Sequence, residues 1–143
     1  MIVVDASVAA KWVLAEPDRD AAKALLGNDR KLIAPSVIRF EVTGAILRRF
    51  RKNELDEKTA RFACQEWDEL LHDLVIELVP SEELFVLARD LAFKARHSLS
   101  DCLYLAAAKS HSAEVVTADV TLRDRGKKLY PRITLLQRAA VAN

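Results

Sequence analysis

Short β-branched apolar runs alternate along the chain with longer stretches of helical periodicity, which predicts a succession of βαβ units. Ile2-Val3-Val4, Leu32-Ile33-Ala34, Val75 to Val79, Glu114 to Thr117 and Arg132 to Leu136 read as short strands. Most are apolar on both faces, as strands of a buried parallel sheet are. Helix-opening signals fall between them at Pro35-Ser36, Asp56, Pro80-Ser81 and Ser98-Leu99-Ser100-Asp101, each with a side-chain oxygen for an orphan N–H. Ser36 to Asn53 and Asp56 to Leu74 predict two long helices joined by a tight turn at Asn53-Glu54-Leu55, hence an antiparallel helical hairpin. With no repeat, linker or low-complexity stretch, one domain over residues 1–136 and a loose tail over 137–143 is the economical reading.

Composition narrows this without changing it. The chain has 143 residues, 51% hydrophobic and 30% charged, which excludes a disordered tail and two large domains. A chain of this size buries roughly 68–70% of the surface its unfolded form exposes, enough to fold without a disulfide or structural metal. Cys64 and Cys102 lie far apart with no CxxC or zinc spacing, so they read as reduced packing thiols and point to an intracellular, cytoplasmic protein. Met1 to Asp5 has no basic n-region or apolar h-region, and nothing approaches the ~18 apolar residues of a membrane span. Twenty-two Lys and Arg against 21 Asp and Glu leave a net charge of +1, which says little about partners. The positions of the carboxylates matter more than their number.

Asp5 directly follows the first strand and Asp119 the fourth, and in an open parallel sheet ligands bind at the carboxyl edge of the strands. Thr117 falls at the same edge. Either Asp can equally be a cap for the helix that follows. Glu41 has Val37, Ile38, Gly44 and Ala45 at its helical neighbour positions, so it lies on a face that ought to be buried. An ionised carboxylate there needs a cation or a set of donors; the structural alternative is a salt bridge with Arg39, Arg48 or Arg49, none of which shares those positions. Asp101 sits three residues after Ser98 at the start of a strongly apolar helix, which fits an acidic capping box as well as a ligand. Asp124 has the same spacing from Thr121 and reads as structural. Several acids in one pocket suit Mg²⁺ or Mn²⁺, and such ions let a water do the nucleophile's work. The absence of a GxSxG elbow, a GxxxxGK[ST] loop and an HExxH helix agrees with that.

Taken together, Val3-Val4-Asp5-Ala6-Ser7, Phe40-Glu41-Val42, His97-Ser98-Leu99-Ser100-Asp101 with its apolar helix, and Val116-Thr117-Ala118-Asp119 resemble the PIN-domain ribonucleases, especially the VapC-type toxins of toxin–antitoxin pairs. The resemblance spans nearly the whole chain. It implies a three-layer α/β/α domain with a central parallel sheet of order 3-2-1-4-5 and a helical hairpin clip. It also implies Mg²⁺ or Mn²⁺ held by Asp5, Glu41, Asp101 and Asp119, with Ser7 and Thr117 hydrogen-bonding a carboxylate or a metal water. The implied activity is hydrolysis of RNA phosphodiester bonds by a metal-activated water. Many relatives carry a further acid three residues after the fourth, where Leu122 stands here. His97, just before a cap, reads as a surface hydrogen-bonder, and His72 and His111 have no ligand spacing.

Arg48, Arg49, Arg51 and Lys52 end the helix that carries Glu41, and Arg123, Arg125, Lys127 and Lys128 follow Asp119. These residues read either as phosphate-positioning patches for RNA or as basic helix ends that suit the dipole. Trp12 and Trp67 read as core or interface residues rather than as base-stacking ones, and Phe62, Trp67, Leu70 and Leu71 offer the hairpin apolar area for a partner. The resemblance implies a homodimer and a VapB-type antitoxin that covers the clip. Two other readings stand beside it: a PIN-like RNA- or protein-binding module without catalysis, and a haloacid dehalogenase-like phosphatase. The phosphatase requires a second Asp two residues after Asp5, where this chain has Ser7.

Overall fold

Strands that are apolar on both faces need cover on both faces, and the connections supply it as helices. The computed structural model describes residues 1–137, so residues 138–143 of the predicted tail lie outside the described residues. Its strands are β1 (Ile2–Val4), β2 (Leu32–Pro35), β3 (Glu77–Val79), β4 (Glu114–Thr117) and β5 (Ile133–Leu135). All pair in parallel in the order β3-β2-β1-β4-β5, as the resemblance implies. The helices are α1 (Ala6–Val13), α2 (Arg19–Leu26), α3 (Ile38–Arg51), α4 (Glu57–His72), α5 (Ser81–Ala95), α6 (Leu99–His111) and α7 (Val120–Gly126). Right-handed crossovers put α1 to α4, which connect β1 to β2 to β3, on one face and α5 to α7 on the other.

The hairpin forms as expected, with α3 packed on α4. Asp56 caps α4 through Oδ1, which accepts from Thr59 N at 2.7 Å. Ser98 caps α6, accepting from Asp101 N at 3.3 Å. Two elements start two residues later than the sequence reading places them. Strand β3 starts at Glu77 because Val75 N bonds back to Leu70 O and finishes the turn after α4. Pro35 does not open a helix: it pairs with Val79 in the sheet, and α3 starts at Ile38. The N–H of Val37 is instead met by the Ser81 hydroxyl at 2.9 Å, while Ser81 N donates to Ser36 Oγ at 3.0 Å. The two Pro-Ser signals thus satisfy one another across adjacent strands. Helices α1, α2 and α7 are only seven or eight residues long, too short for the helical period to stand out beside the strands.

Trp67 and Tyr104 are the largest fully buried side chains, and Trp12 is 3% exposed, so both tryptophans belong to the core. Their indole N–H groups are satisfied by Arg39 O at 3.3 Å and Ala22 O at 2.8 Å. Trp67→Ala is expected to cost about 3–5 kcal/mol, read as a lower urea midpoint, because it empties the core of the largest buried side chain of α4, which also bonds back to α3. Of the hairpin's apolar residues, Leu71 is buried and Phe62 is 60% exposed. Cys64 and Cys102 are both free, and burial pushes the Cys102 thiol up to about 11, in keeping with inert packing. At Gly126 a Cβ would lie 2.7 Å from Ile133 Cδ1, so glycine lets the end of α7 close onto β5. Among the described residues no helix is long and apolar enough to cross a membrane.

Candidate metal centre

The chain leaves β1 toward β2 and later returns from β3 to β4 on β1's other side. The crevice at the carboxyl ends of β1 and β4 is therefore the topological switch point, where open α/β sheets bind ligands. Asp5 follows β1, Asp119 follows β4, Glu41 lies in the first turn of α3 and Asp101 in the first turn of α6.

Asp5 is 4% exposed. Its Oδ1 accepts from Ser7 Oγ at 2.6 Å and Val8 N at 3.2 Å, and its Oδ2 accepts from the Thr117 hydroxyl. Burial raises its carboxyl to about 6; the hydrogen bonds pull the other way, and the charge of Asp101 adds to the rise. Asp5 thereby caps α1, and Asp119 caps α7 through Oδ1, which accepts from Thr121 N at 2.9 Å and Leu122 N at 3.1 Å. The capping reading holds for both, and it aims rather than removes them: a cap fixes one oxygen and the carboxylate with it. Ser7 and Thr117 join the two loops, since Ala118 N donates to Ser7 Oγ and Asp119 N to Thr117 Oγ1, each at 3.0 Å.

Glu41 is half-buried, as its neighbours predict, but its partner is not an arginine. Tyr104 Oη donates to Glu41 Oε1 at 2.5 Å, while Arg49 pairs with Glu54 at 3.2 Å. Burial raises the Glu41 carboxyl, opposed by Tyr104 and assisted by the charge of Asp101. Burial and the same carboxylates push the Tyr104 phenol well above its ordinary value, so it stays a donor. Sequence reasoning missed Tyr104, although it lies three residues after Asp101 on one helix face. Tyr104→Phe is expected to raise the Glu41 pKa further, because a donor to the ionised form is lost. A ¹³C NMR titration of the Glu41 carboxyl reads this, and an unchanged midpoint would count against the bond.

His97 departs from expectation. Its side chain is 10% exposed rather than at the surface, and its Nε2 lies 2.7 Å from Asp101 Oδ2. His97, Asp101 and Asp119 each offer one ligand atom, and these lie within 4.8 Å of one another. Because Asp101 also raises the carboxyls of Asp5 and Glu41, it links the two halves of the site. Asp124 is exposed and held by Arg123 at 2.6 Å instead of closing a capping box, since Asp119 already caps α7; Leu122 is buried. His72 and His111 are exposed.

Among the described residues, Asp5, Glu41 and Asp119 have no ion pair with Lys or Arg, and Asp101 is paired only with His97. Asp5 and Glu41 are withdrawn from water with their carboxyls raised by burial, and together with two further carboxylates lacking Lys or Arg partners they are a donor set that fits a hard divalent cation. Beside them a cleft of about 610 Å³ is lined by Ser7, Lys11, Phe40, Glu41 and Arg48 among others. Of the predicted basic residues, Arg48 reaches this cleft; Arg49 and Lys52 border a neighbouring hollow, and Arg51 is exposed. Arg123 is engaged by Asp124, and Arg125 donates to Arg96 O at 2.8 Å. Lys11, which carries no motif, escaped the sequence reading.

A parallel sheet of order 3-2-1-4-5 flanked by helices defines a fold class, and the comparisons agree with it. The PIN domain family model matches residues 2–128, and the chain belongs to that family. It is 31% identical over 138 residues to VapC ribonuclease Mb0985 of Mycobacterium bovis, covering 96% of this chain and 100% of the relative. Ribonuclease VapC9 of Mycobacterium tuberculosis matches with the same identity and coverage. Among solved structures, PAE2754 from Pyrobaculum aerophilum superposes with a TM-score of 0.68 at 15% identity, covering 99% of this chain and 94% of that one. VapC20 of Mycobacterium tuberculosis, a Sarcin-Ricin loop cleaving toxin, gives 0.67 at 16% identity, covering 88% and 95%.

Proposed function

We propose that this protein is a Mg²⁺- or Mn²⁺-dependent endoribonuclease and the toxin of a toxin–antitoxin pair. The observation that carries the reading is the gathering of Asp5, Glu41, Asp101 and Asp119 at one switch point without Lys or Arg counter-charges. These residues would hold the ion, which when bound activates water and offsets charge on the leaving oxygen of a phosphodiester. Ser7 and Thr117 hold Asp5 in one rotamer, and Tyr104 holds Glu41, so the carboxylates need little rearrangement to receive a cation. Lys11 and Arg48 supply positive charge along the cleft for phosphates, as a positioning term without sequence choice. The 60% exposed Phe62 on the hairpin supports a partner there, an antitoxin or a second copy.

The test is cleavage of single-stranded RNA with Mn²⁺ or Mg²⁺, expected to stop in EDTA and to fall about a hundredfold or more in Asp101→Asn while the fold persists. Equal cleavage in EDTA would overturn the metal mechanism. Turnover of a small phosphate ester with phosphoryl capture on Asp5 would favour a phosphatase.

A further inference from the structure

His97 is the feature of this site that a purely carboxylate centre does not need. Its side chain is nine-tenths buried at the mouth of α6, with Nε2 2.7 Å from Asp101 Oδ2. Its Nδ1 is buried with no hydrogen-bond partner among the described residues. The two ring nitrogens point in divergent directions, so Nε2, the one beside Asp101, is the nitrogen open to an ion held by these carboxylates, and ligation there leaves the proton on Nδ1. The ring stands in a group of three donors, with one ligand atom each from His97, Asp101 and Asp119 all within 4.8 Å of one another. That span is close to the ~4.2 Å reach of two ligands at ~2.1 Å from a shared ion, so small rotamer adjustments bring all three into one shell.

We infer that His97 is a nitrogen ligand of the metal centre, making it a mixed nitrogen and oxygen site that takes Mn²⁺ or Co²⁺ in preference to Mg²⁺. The inference rests on the metal-dependent reading above and adds the identity of one donor and its consequence for ion choice. Imidazole suits the later divalent metals, whereas Mg²⁺ prefers carboxylate and water oxygens and keeps several waters. Loss of a nitrogen donor therefore weakens Mn²⁺ and Co²⁺ more than Mg²⁺. The neighbouring carboxylates of Asp101 and Asp119 supply the charge in either case.

The experiment uses the full chain loaded with Mn²⁺ in frozen solution and reads electron spin echo modulation for a directly coordinated ¹⁴N. Wild type is expected to show imidazole nitrogen modulation that disappears in His97→Gln and persists in His111→Gln, whose ring lies at the far end of α6. Calorimetric titration is expected to show the ratio of Mn²⁺ to Mg²⁺ affinity falling about tenfold in His97→Gln. Wild type that binds Mn²⁺ without nitrogen modulation overturns the inference and leaves the nuclease reading standing, whatever the variant's folding. Wild type that binds no Mn²⁺ overturns both. Nitrogen modulation without RNA cleavage in the same preparation supports the ligand and counts against the nuclease.

Discussion

Asp5→Asn is expected to be more stable than wild type at pH 7.5 without metal, and to have lost RNA cleavage. The carboxyl of Asp5 is raised by burial to about 6. The folded state therefore holds this proton more tightly than the unfolded chain, where an aspartate titrates near 3.9. Its contribution favours folding fully below about pH 4 and is lost as the pH rises through about 6, a swing on the order of 3 kcal/mol. Asparagine has no charge to desolvate, keeps an acceptor for Ser7 Oγ and Val8 N, and turns an amide toward the Thr117 hydroxyl, which can accept. Urea unfolding in EDTA across pH 4–8 tests this: wild type should lose stability between about pH 4 and 6, and the variant should lose markedly less, keeping only the part that the raised Glu41 carboxyl contributes. A variant that is weaker than wild type at pH 7.5 would show that the hydrogen bonds to the carboxylate outweigh its burial. Gain of stability with loss of function is what a site strained for ligand binding produces.

Mn²⁺ is expected to raise the melting temperature, and to do so less as the pH falls. An ion at a hundred times its dissociation constant contributes about 2.7 kcal/mol, roughly 5–10 °C for a domain of this size. Binding must displace protons from Asp5 and Glu41, whose carboxyls burial has raised, so the shift should fade as the pH falls through about 6. Asp101→Asn should remove most of the shift, because Asp101 is the acid that acts on both Asp5 and Glu41 and shares donors with Asp119. Scanning calorimetry at pH 5.5 and 7.5 with and without Mn²⁺ reads both effects. An equal shift at both pH values would mean the ion binds elsewhere.

The sheet was legible because its signal is local and repeated. Ile2 to Val4 and Glu114 to Thr117 match strands β1 and β4 to the residue, since β-branched runs bounded by polar turns admit few other states. The caps of α4 and α6 were legible for the same reason: Asp56 and Ser98 find their partners within three residues. Glu41 was legible as a buried acid from its helical neighbours. Its partner was not, because Tyr104 reaches it from a helix 63 positions along the chain. Ser36 misled for a related reason, since its hydroxyl serves Ser81 across two strands rather than the helix beside it.

By itself the sequence determined the elements, the acids and their places at strand and helix ends, because capping, alternation and burial of apolar runs are decided by neighbours a few residues away. Only the tertiary structure decided which of those acids share a pocket, that Asp101 is the one linking them, and that His97 turns inward with a bare nitrogen. Those depend on strand order and crossover hand, which bring residues separated by more than a hundred positions, such as Asp5 and Thr117, into hydrogen-bond contact. Desolvation, and with it the raised carboxyls that suit a cation, exists only once that packing is complete.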